Sequence, residues 1–229
     1  MNKLLTISAI ITALVLSGCS GSQKKAGPFD SMIKNGNKTF ASKKFTKPKP
    51  WAPGQYVVIA TLDDGEIESV AKTTVVRKEA GGWVFETVTT EDDGKSSGMQ
   101  MLVKGMDTAI AKNDASKIKV LWIKMLQKDG SVEKIEGDAL MFYNAILQTT
   151  WNNLLISGTT TAGGAVKVPA GNFAGTTKMH TAVKVLFVTV EGDSYLHPDV
   201  PINGVVKTVS DDSVTELIDF GFNGKAVIE

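Results

Sequence analysis

Three Asp-Gly dipeptides limit the fold of this chain more than any other feature of its sequence. They are Asp64-Gly65, Asp93-Gly94 and Asp129-Gly130, and each lies between segments of β-branched or alternating residues. Asp-Gly supplies the positive φ angles that tight hairpins need, so each pair predicts two antiparallel strands joined by a turn. The antiparallel meander that results has five predicted strands, at residues 55–62, 69–78, 83–90, 97–103 and 118–127.

The third of these strands is unusual because both of its faces carry apolar side chains. Trp83 and Phe85 alternate with Val84 and Val88. Alternation normally identifies one buried face of a strand. Here it does not identify which face is buried.

The segment after the meander predicts one long helix, at about residues 138–157. Asp138 is the expected N-cap, and Ser157-Gly158 is the expected stop. The apolar side chains of this helix form a wide stripe, so the helix needs other elements to cover much of its circumference. The fold class expected is therefore mainly β (α+β): a curved antiparallel sheet, or incomplete β-barrel, packed around one long central helix. The apolar residues that repeat at three and four along it are Leu140, Tyr143, Leu147, Trp151 and Leu154.

The amino terminus has the pattern of a bacterial lipoprotein signal. Lys3 precedes an apolar run at residues 4–16 that is too short to span a bilayer comfortably. The run ends in four residues that resemble the bacterial lipobox: Leu16, Ser17, Gly18 and Cys19. That resemblance implies a diacylglycerol on the Cys19 sulfur, cleavage before Cys19 and a further acyl chain, such as palmitate, on the new amino terminus. The alternative is a free or disulfide-forming thiol, but the chain has no second cysteine.

The lipid on Cys19 predicts a protein held at a membrane, since two or three acyl chains anchor a protein stably. In the lipoproteins that this signal resembles, an Asp after the cysteine signals retention in the inner membrane. This chain has Ser20 there. The expected location is therefore the cell envelope, and the outer membrane within it.

Three segments follow from these observations: a signal peptide at 1–18, a lipidated tether at 19–53 and a single β-rich domain at 54–229. Residues 20–50 carry eight lysines and one acid, Asp30, whereas acids outnumber basic residues beyond Trp51. The tether lysines either contact anionic head groups or are simply solvated. Because these lysines are not expected on a folded face, the charge pattern argues against binding to nucleic acid.

The last third of the chain resembles β-rich envelope proteins of the kind that LolA and LolB, the periplasmic lipoprotein carriers, represent in outline. The resemblance implies an incomplete antiparallel barrel over helices, an apolar cavity that takes acyl chains and no catalytic residue. A long strand is expected at 178–191 within this part. The segments that carry the resemblance are Val168-Pro169-Ala170-Gly171-Asn172-Phe173, Pro201-Ile202-Asn203-Gly204-Val205-Val206-Lys207 and Thr215-Glu216-Leu217-Ile218-Asp219-Phe220-Gly221.

Apolar side chains on the strands and the predicted helix supply a candidate pocket. Methionines suit adaptable apolar pockets, although for any single one of these residues ordinary core packing is the better explanation. The residues chosen for the candidate pocket are Trp122, Met125, Phe142, Leu147 and Trp151.

Catalytic and metal-binding chemistry is sparse. His180 and His197 are the two histidines, and no His-x-x-x-His or cysteine cluster accompanies them, so no metal site is predicted. Gly192-Asp193-Ser194 superficially resembles the nucleophile segment of one esterase family, but a turn explains it better. No phosphate-binding loop is present in the sequence, and no cofactor is expected apart from the covalent lipid on Cys19.

The sequence therefore favours a non-enzymatic, membrane-anchored envelope lipoprotein. In this interpretation a LolA/LolB-like half-barrel binds a hydrophobic ligand or an apolar segment of a partner. The alternative is a scaffold with a filled core that docks another envelope protein. A hydrolase that uses His180, His197 and Ser194 is the third hypothesis.

Overall fold

Most of the chain is β-strand in a computed structural model of the protein. The residues that it describes are 29, 32–33, 36–112, 115–141, 143–144, 158–185, 188–210 and 213–229. The lipobox residues Leu16, Ser17, Gly18 and Cys19 therefore lie outside the described residues.

The first half of the described chain is the predicted meander. A short strand β1 precedes it, and a helix α1 lies between its fourth and fifth strands. All five predicted strands are confirmed to within a few residues at each end. The bounds are Thr39–Phe40 for β1, Tyr56–Asp63 for β2, Glu66–Glu79 for β3, Gly82–Glu91 for β4, Ser96–Lys104 for β5, Met106–Lys112 for α1, Lys119–Leu126 for β6 and Val132–Ile135 for β7.

The Asp-Gly pairs form the turns, in two different ways. Asp64 and Gly65 are the two central residues of the β2–β3 hairpin, and both have positive φ, 47° and 81°. In the loop after β4, Gly94 has φ 78° and the Asp93 carboxylate accepts a hydrogen bond from the Lys95 N–H at 2.9 Å. Asp is common in turns because its carboxylate can accept a hydrogen bond from a backbone N–H two residues later. The loop before β7 has the same arrangement, with Asp129 in the place of Asp93 and Gly130 in the place of Gly94.

The second half of the described chain adds five strands. Residues 178–191 do not form the single strand predicted for them. They belong to two antiparallel strands, in which Val185 lies opposite Val188. The bounds are Gly158–Val168 for β8, Gly171–Val185 for β9, Val188–Leu196 for β10, Val205–Ser210 for β11 and Val214–Gly221 for β12.

One twelve-stranded sheet contains all of these strands. The antiparallel order is β8-β9-β10-β11-β12-β2-β3-β4-β5-β6-β7, so the pairing of β12 with β2 joins the two halves. Strand β1 pairs with β9 in parallel, with Thr39 opposite Asn172 and Phe40 opposite Phe173. The sheet is therefore mixed, and it is open.

The sheet has two faces, which we name the core face and the groove face. The core face carries the largest apolar cluster, including Val57, Phe85 and Met101. The opposite face carries Val58 and Glu86, because successive side chains of a strand point in opposite directions. We call it the groove face.

The expected incomplete barrel packed around one long central helix is wrong. The core face is occupied by other elements: Val166 and Val168 from β8, Phe173 from β9, and Phe40 and Trp51 from the amino-terminal segment. Leu140 also packs there, after a 3-10 turn at Gly137–Ala139 that lacks a side-chain cap.

The helix prediction rests on a repeat that begins at Leu140, and the later part of that repeat, at residues 145–157, lies outside the described residues. Within the part of the chain that is described, no helix has the length and apolarity needed to cross a bilayer.

The amino-terminal segment packs on the folded body, although the sequence assigns it to a tether. The Phe40 ring stacks on Phe173 with ring centroids 4.3 Å apart. Phe45 is buried against Met179 and Leu196, and its N–H donates to the Thr177 hydroxyl at 3.1 Å. The segment thus replaces the helix as cover for the core face.

Truncation of Phe173 tests the importance of this aromatic stack. We expect Phe173→Ala to lower the free energy of unfolding by about 3–5 kcal/mol, because Phe173 is fully buried and its loss leaves a cavity beside Phe40. Urea unfolding followed by tryptophan fluorescence measures the change. The matched control is Phe222→Ala, whose ring is 56% exposed, and it should change stability by less than about 1 kcal/mol. Equal effects of the two substitutions would contradict the prediction.

Candidate functional site

The groove face contains a surface cavity of about 450 Å³, which we call the outer groove. It lies over strands β2, β3, β4 and β12. The amino-terminal turn closes one side and the carboxy-terminal tail closes another. Its lining residues are Met32, Tyr56, Val58, Val70, Lys72, Val88, Thr90, Asp219, Asn223, Gly224 and Val227.

Valines from three adjacent strands form the apolar part of the outer groove. Val58 lies opposite Lys72 in the β2–β3 register, and Lys72 lies opposite Val88 in the β3–β4 register. Val70 is two residues before Lys72 and therefore points to the same face. β-Branched residues favour strands, so the sequence that builds the sheet also builds an apolar surface on its second face.

The polar side chains of the groove lie around Tyr56. The Tyr56 hydroxyl donates to Asp219 Oδ2 at 3.0 Å. Partial burial raises the pKa of the Tyr56 phenol, and the hydrogen bond and negative charge of Asp219 raise this pKa further. The Lys72 ammonium lies 5.3 Å from the centroid of the Tyr56 ring, on the other flank of Val58. An acid and a lysine ammonium therefore lie on either side of Val58 in the groove.

A docked turn of the amino-terminal segment forms the first wall. Phe29 is only 3% exposed and packs with Ala60, Val70 and Ile218. The Met32 N–H donates to the Phe29 carbonyl at 2.8 Å, and this turn places the 45%-exposed Met32 side chain beside the groove.

The carboxy-terminal tail forms the second wall, and a buried acid holds it. Glu86 is 1% exposed, and its carboxylate accepts the N–H groups of Val227 at 2.8 Å and Ile228 at 2.9 Å. The Gln100 amide donates to the same carboxylate and to the Ile228 carbonyl. Buried carboxylates need such hydrogen bonds. Glu86 is therefore satisfied by the backbone that it holds in place.

The structure does not bring the predicted pocket residues together. Trp122 and Met125 are both partly buried on β6. Since they are three residues apart in a strand, they point to opposite faces. Met125 packs on the core face, whereas Trp122 lies 6.0 Å from the Arg77 guanidinium. The remaining predicted pocket residues lie outside the residues whose side chains are described: Phe142, Leu147 and Trp151.

His180 is engaged on an exposed part of the sheet. Its Nδ1 lies 3.0 Å from Asp193 Oδ1. Asp193 also forms an ion pair with Lys178 at 2.7 Å, and the hydrogen bond from Lys178 is the main cause that lowers the pKa of Asp193. His180 is thus one member of a surface charge network.

His197 and Ser194 have other partners. His197 is fully buried, and its Nε2 lies 3.0 Å from the Ala41 carbonyl oxygen. Its Nδ1 accepts the Asp199 N–H at 3.2 Å. The Ser194 hydroxyl bonds the Thr208 hydroxyl at 3.1 Å. Among the described residues, no group of three or more His, Cys, Asp or Glu side chains is placed to hold a metal ion.

The outer groove was missed in the sequence analysis, although a signal for it existed. Val84 and Val88 made the second face of β4 apolar. A second apolar face requires its own cover, and in this protein the two ends of the chain provide it.

No protein-family model and no curated protein matches the chain. Solved structures to which the chain has some similarity include a lipoprotein candidate from Parabacteroides distasonis, with 16% identity, a TM-score of 0.36 and coverage of 75% of this chain and 97% of that chain. A candidate exported protein with a YmcC-like fold from Bacteroides fragilis has 12% identity and a TM-score of 0.35, over 76% of this chain and 99% of that one. The hypothetical protein CT021 from Chlamydia trachomatis has 10% identity and a TM-score of 0.44, over 77% and 91%.

The Tyr56–Asp219 pair gives a prediction about pH. The neutral phenol is favoured in the folded protein, so this pair contributes stability below about pH 10 that is lost as pH rises through the raised pKa. We expect Asp219→Asn to lower the pKa of Tyr56, because it removes the negative charge beside the phenol. Ultraviolet titration of tyrosinate measures this pKa, with Tyr56→Phe used to assign the signal. Asp107→Asn is the control and should leave the titration unchanged. An unaltered Tyr56 titration in Asp219→Asn would refute the pairing.

Proposed function

We propose that this protein is a membrane-anchored lipoprotein of the cell envelope that binds the apolar chain of a hydrophobic ligand in the outer groove. The observation that carries the proposal is the groove itself, in which Val58, Val70 and Val88 form an apolar surface around Lys72. A volume of about 450 Å³ is within the range of about 300–1,000 Å³ that ligand sites have. The core face, which a half-barrel carrier would use, is filled by side chains such as Phe40 and Phe173.

The anchor in this proposal is the lipid on Cys19. The lipobox resemblance of Leu16, Ser17 and Gly18 supports it, and Ser20 supports the outer membrane as the destination. The expected partners are the membrane, through the lipid, and the hydrophobic ligand.

A binding role without catalysis is part of the proposal. The three side chains that a hydrolase would use are engaged elsewhere: His180 with Asp193, His197 with backbone groups and Ser194 with Thr208. Ligand release and capture require only the groove, so no catalytic residue is proposed.

A scaffold that docks another envelope protein is the second candidate. The packed core face supports it, because a filled interior is what this alternative expects. Strand β7 is a poor docking edge, however, since it is short and exposes Glu133 and Lys134, and charged edge strands discourage pairing with another chain.

Filling the outer groove tests the binding role. Val88→Phe enlarges a partly buried groove residue, so we expect at least about a tenfold loss of affinity for a fluorescent fatty-acid probe with little change in the folded state. Fluorescence titration of residues 20–229 measures the affinity, and circular dichroism checks the fold. The matched control is Val132→Phe on the exposed edge strand β7, which should bind as the unsubstituted protein does. Failure of the unsubstituted protein to bind any such probe would reject this function and favour the scaffold.

Replacement of the lipidated cysteine tests the anchor. In cells fed an alkyne-tagged palmitate, the unsubstituted chain should be labelled and shortened by its signal peptide. Cys19→Ser should be unlabelled and should keep residues 1–18, because lipidation precedes cleavage in the lipoproteins that the signal resembles. Ser17→Ala retains a small residue and serves as the labelled control. Palmitate labelling of the Cys19→Ser chain would disprove lipidation at this site.

A further inference from the structure

We propose that the outer groove faces the membrane that holds the anchor and binds one acyl chain of an anionic lipid from that leaflet, with the anionic head group at Lys72. This inference rests on the proposed function. It adds the source of the ligand, the number of chains and the charge that the groove recognises.

The position of the docked turn favours the groove face as the face that lies near the membrane. Phe29 is ten residues after Cys19 in the sequence. A fully extended chain spans at most about 3.6 Å per residue, which gives a reach of about 36 Å. Phe29 and Met32 contact the groove face. The distance from the anchor to the groove is therefore at most this reach plus the width of the turn. The short connection keeps this face close to the leaflet.

Charge complementarity favours an anionic head group. Lys72 is the only cation among the residues that line the groove in the described part of the chain. Its ammonium contacts the face of the Tyr56 ring at 5.3 Å to the centroid, and such a contact leaves its N–H groups available to a second partner.

The acid in the groove does not neutralise Lys72. Asp219 and Lys72 lie opposite the two sides of Val58, so two strand spacings of about 4.8 Å separate their backbones. Asp219 uses one oxygen to accept the Tyr56 hydroxyl at 3.0 Å. Asp219 and Lys72 therefore contact different parts of Tyr56, the hydroxyl and the ring face, and do not form an ion pair with each other.

The size of the groove favours a single chain. Its volume of about 450 Å³ is near the low end of the range for ligand sites. The apolar surface is three strands wide, from Val58 on β2 to Val88 on β4. An apolar tail on this surface with its charged end at Lys72 satisfies both parts of the groove.

The test uses the full lipidated chain, anchored in vesicles of neutral phosphatidylcholine. One sample contains a photoreactive alkyl phosphate as the only anionic lipid, and the other contains the uncharged alcohol of the same chain length. After illumination and digestion, mass spectrometry measures the labelling of the peptides that contain Val58, Val70 and Val88. Lys72→Gln removes the charge. Lys124→Gln is the matched control, because Lys124 points to the same face from β6 and does not line the groove.

We expect the phosphate probe to label these peptides about tenfold more than the alcohol, since a hydrogen bond to a charged group contributes to binding at this level. Lys72→Gln should reduce phosphate labelling to the level of the alcohol, and Lys124→Gln should not. Equal labelling by both probes, or no effect of Lys72→Gln, would overturn the head-group assignment while the groove still binds apolar chains. No labelling by either probe would instead reject the proposed function.

A second arrangement tests the membrane-facing orientation. The protein is anchored in vesicles without probe and mixed with separate vesicles that carry the phosphate probe. We expect labelling of the groove peptides to fall at least about fivefold compared with probe and anchor in the same vesicle. Equal labelling in the two arrangements would show that the groove takes lipid from elsewhere and would overturn this part of the inference.

Discussion

Strand β4 is buried on both of its faces, and this constraint determines how the rest of the chain is used. Trp83 and Phe85 are buried on the core face, and Val84 and Glu86 are buried on the groove face. An antiparallel sheet commonly covers one face and exposes the other to water. A sheet with two buried faces needs two layers of cover, and the described helical segments of this protein are too short to supply either layer alone.

The two ends of the chain supply the cover that helices would otherwise supply. The amino-terminal segment contributes to both faces, with Phe29 on the groove face and Phe40 on the core face. The carboxy-terminal tail covers the groove face next to β4, where the Glu86 carboxylate receives two consecutive backbone N–H groups. A buried carboxylate without such donors would be strongly destabilising. The acid on the groove face of β4 is therefore the residue that attaches the tail.

The outer groove is the part of the groove face that these two covers leave open. Its walls are the ends of the chain and its base is the meander, so the position of the site depends on where the amino-terminal turn and the tail dock. The amino-terminal turn is also the described segment nearest to the predicted lipid anchor. The same docking contacts thus link the ligand site to the membrane in our proposal, with Lys72 as the charged group that faces the leaflet.

The sequence by itself determined the meander, because Asp-Gly turns and alternating strands depend on neighbours within a few residues. The loops around Asp64, Asp93 and Asp129 form because Asp and Gly favour turns locally. Only the tertiary structure decided what covers the sheet. Apolar repeats such as that of Leu140 and Tyr143 show that side chains must be buried, but they do not show against which element. Burial on the core face is decided by contacts such as Phe40 on Phe173, which join residues more than one hundred positions apart. The outer groove exists for the same reason, since it forms only where distant segments meet.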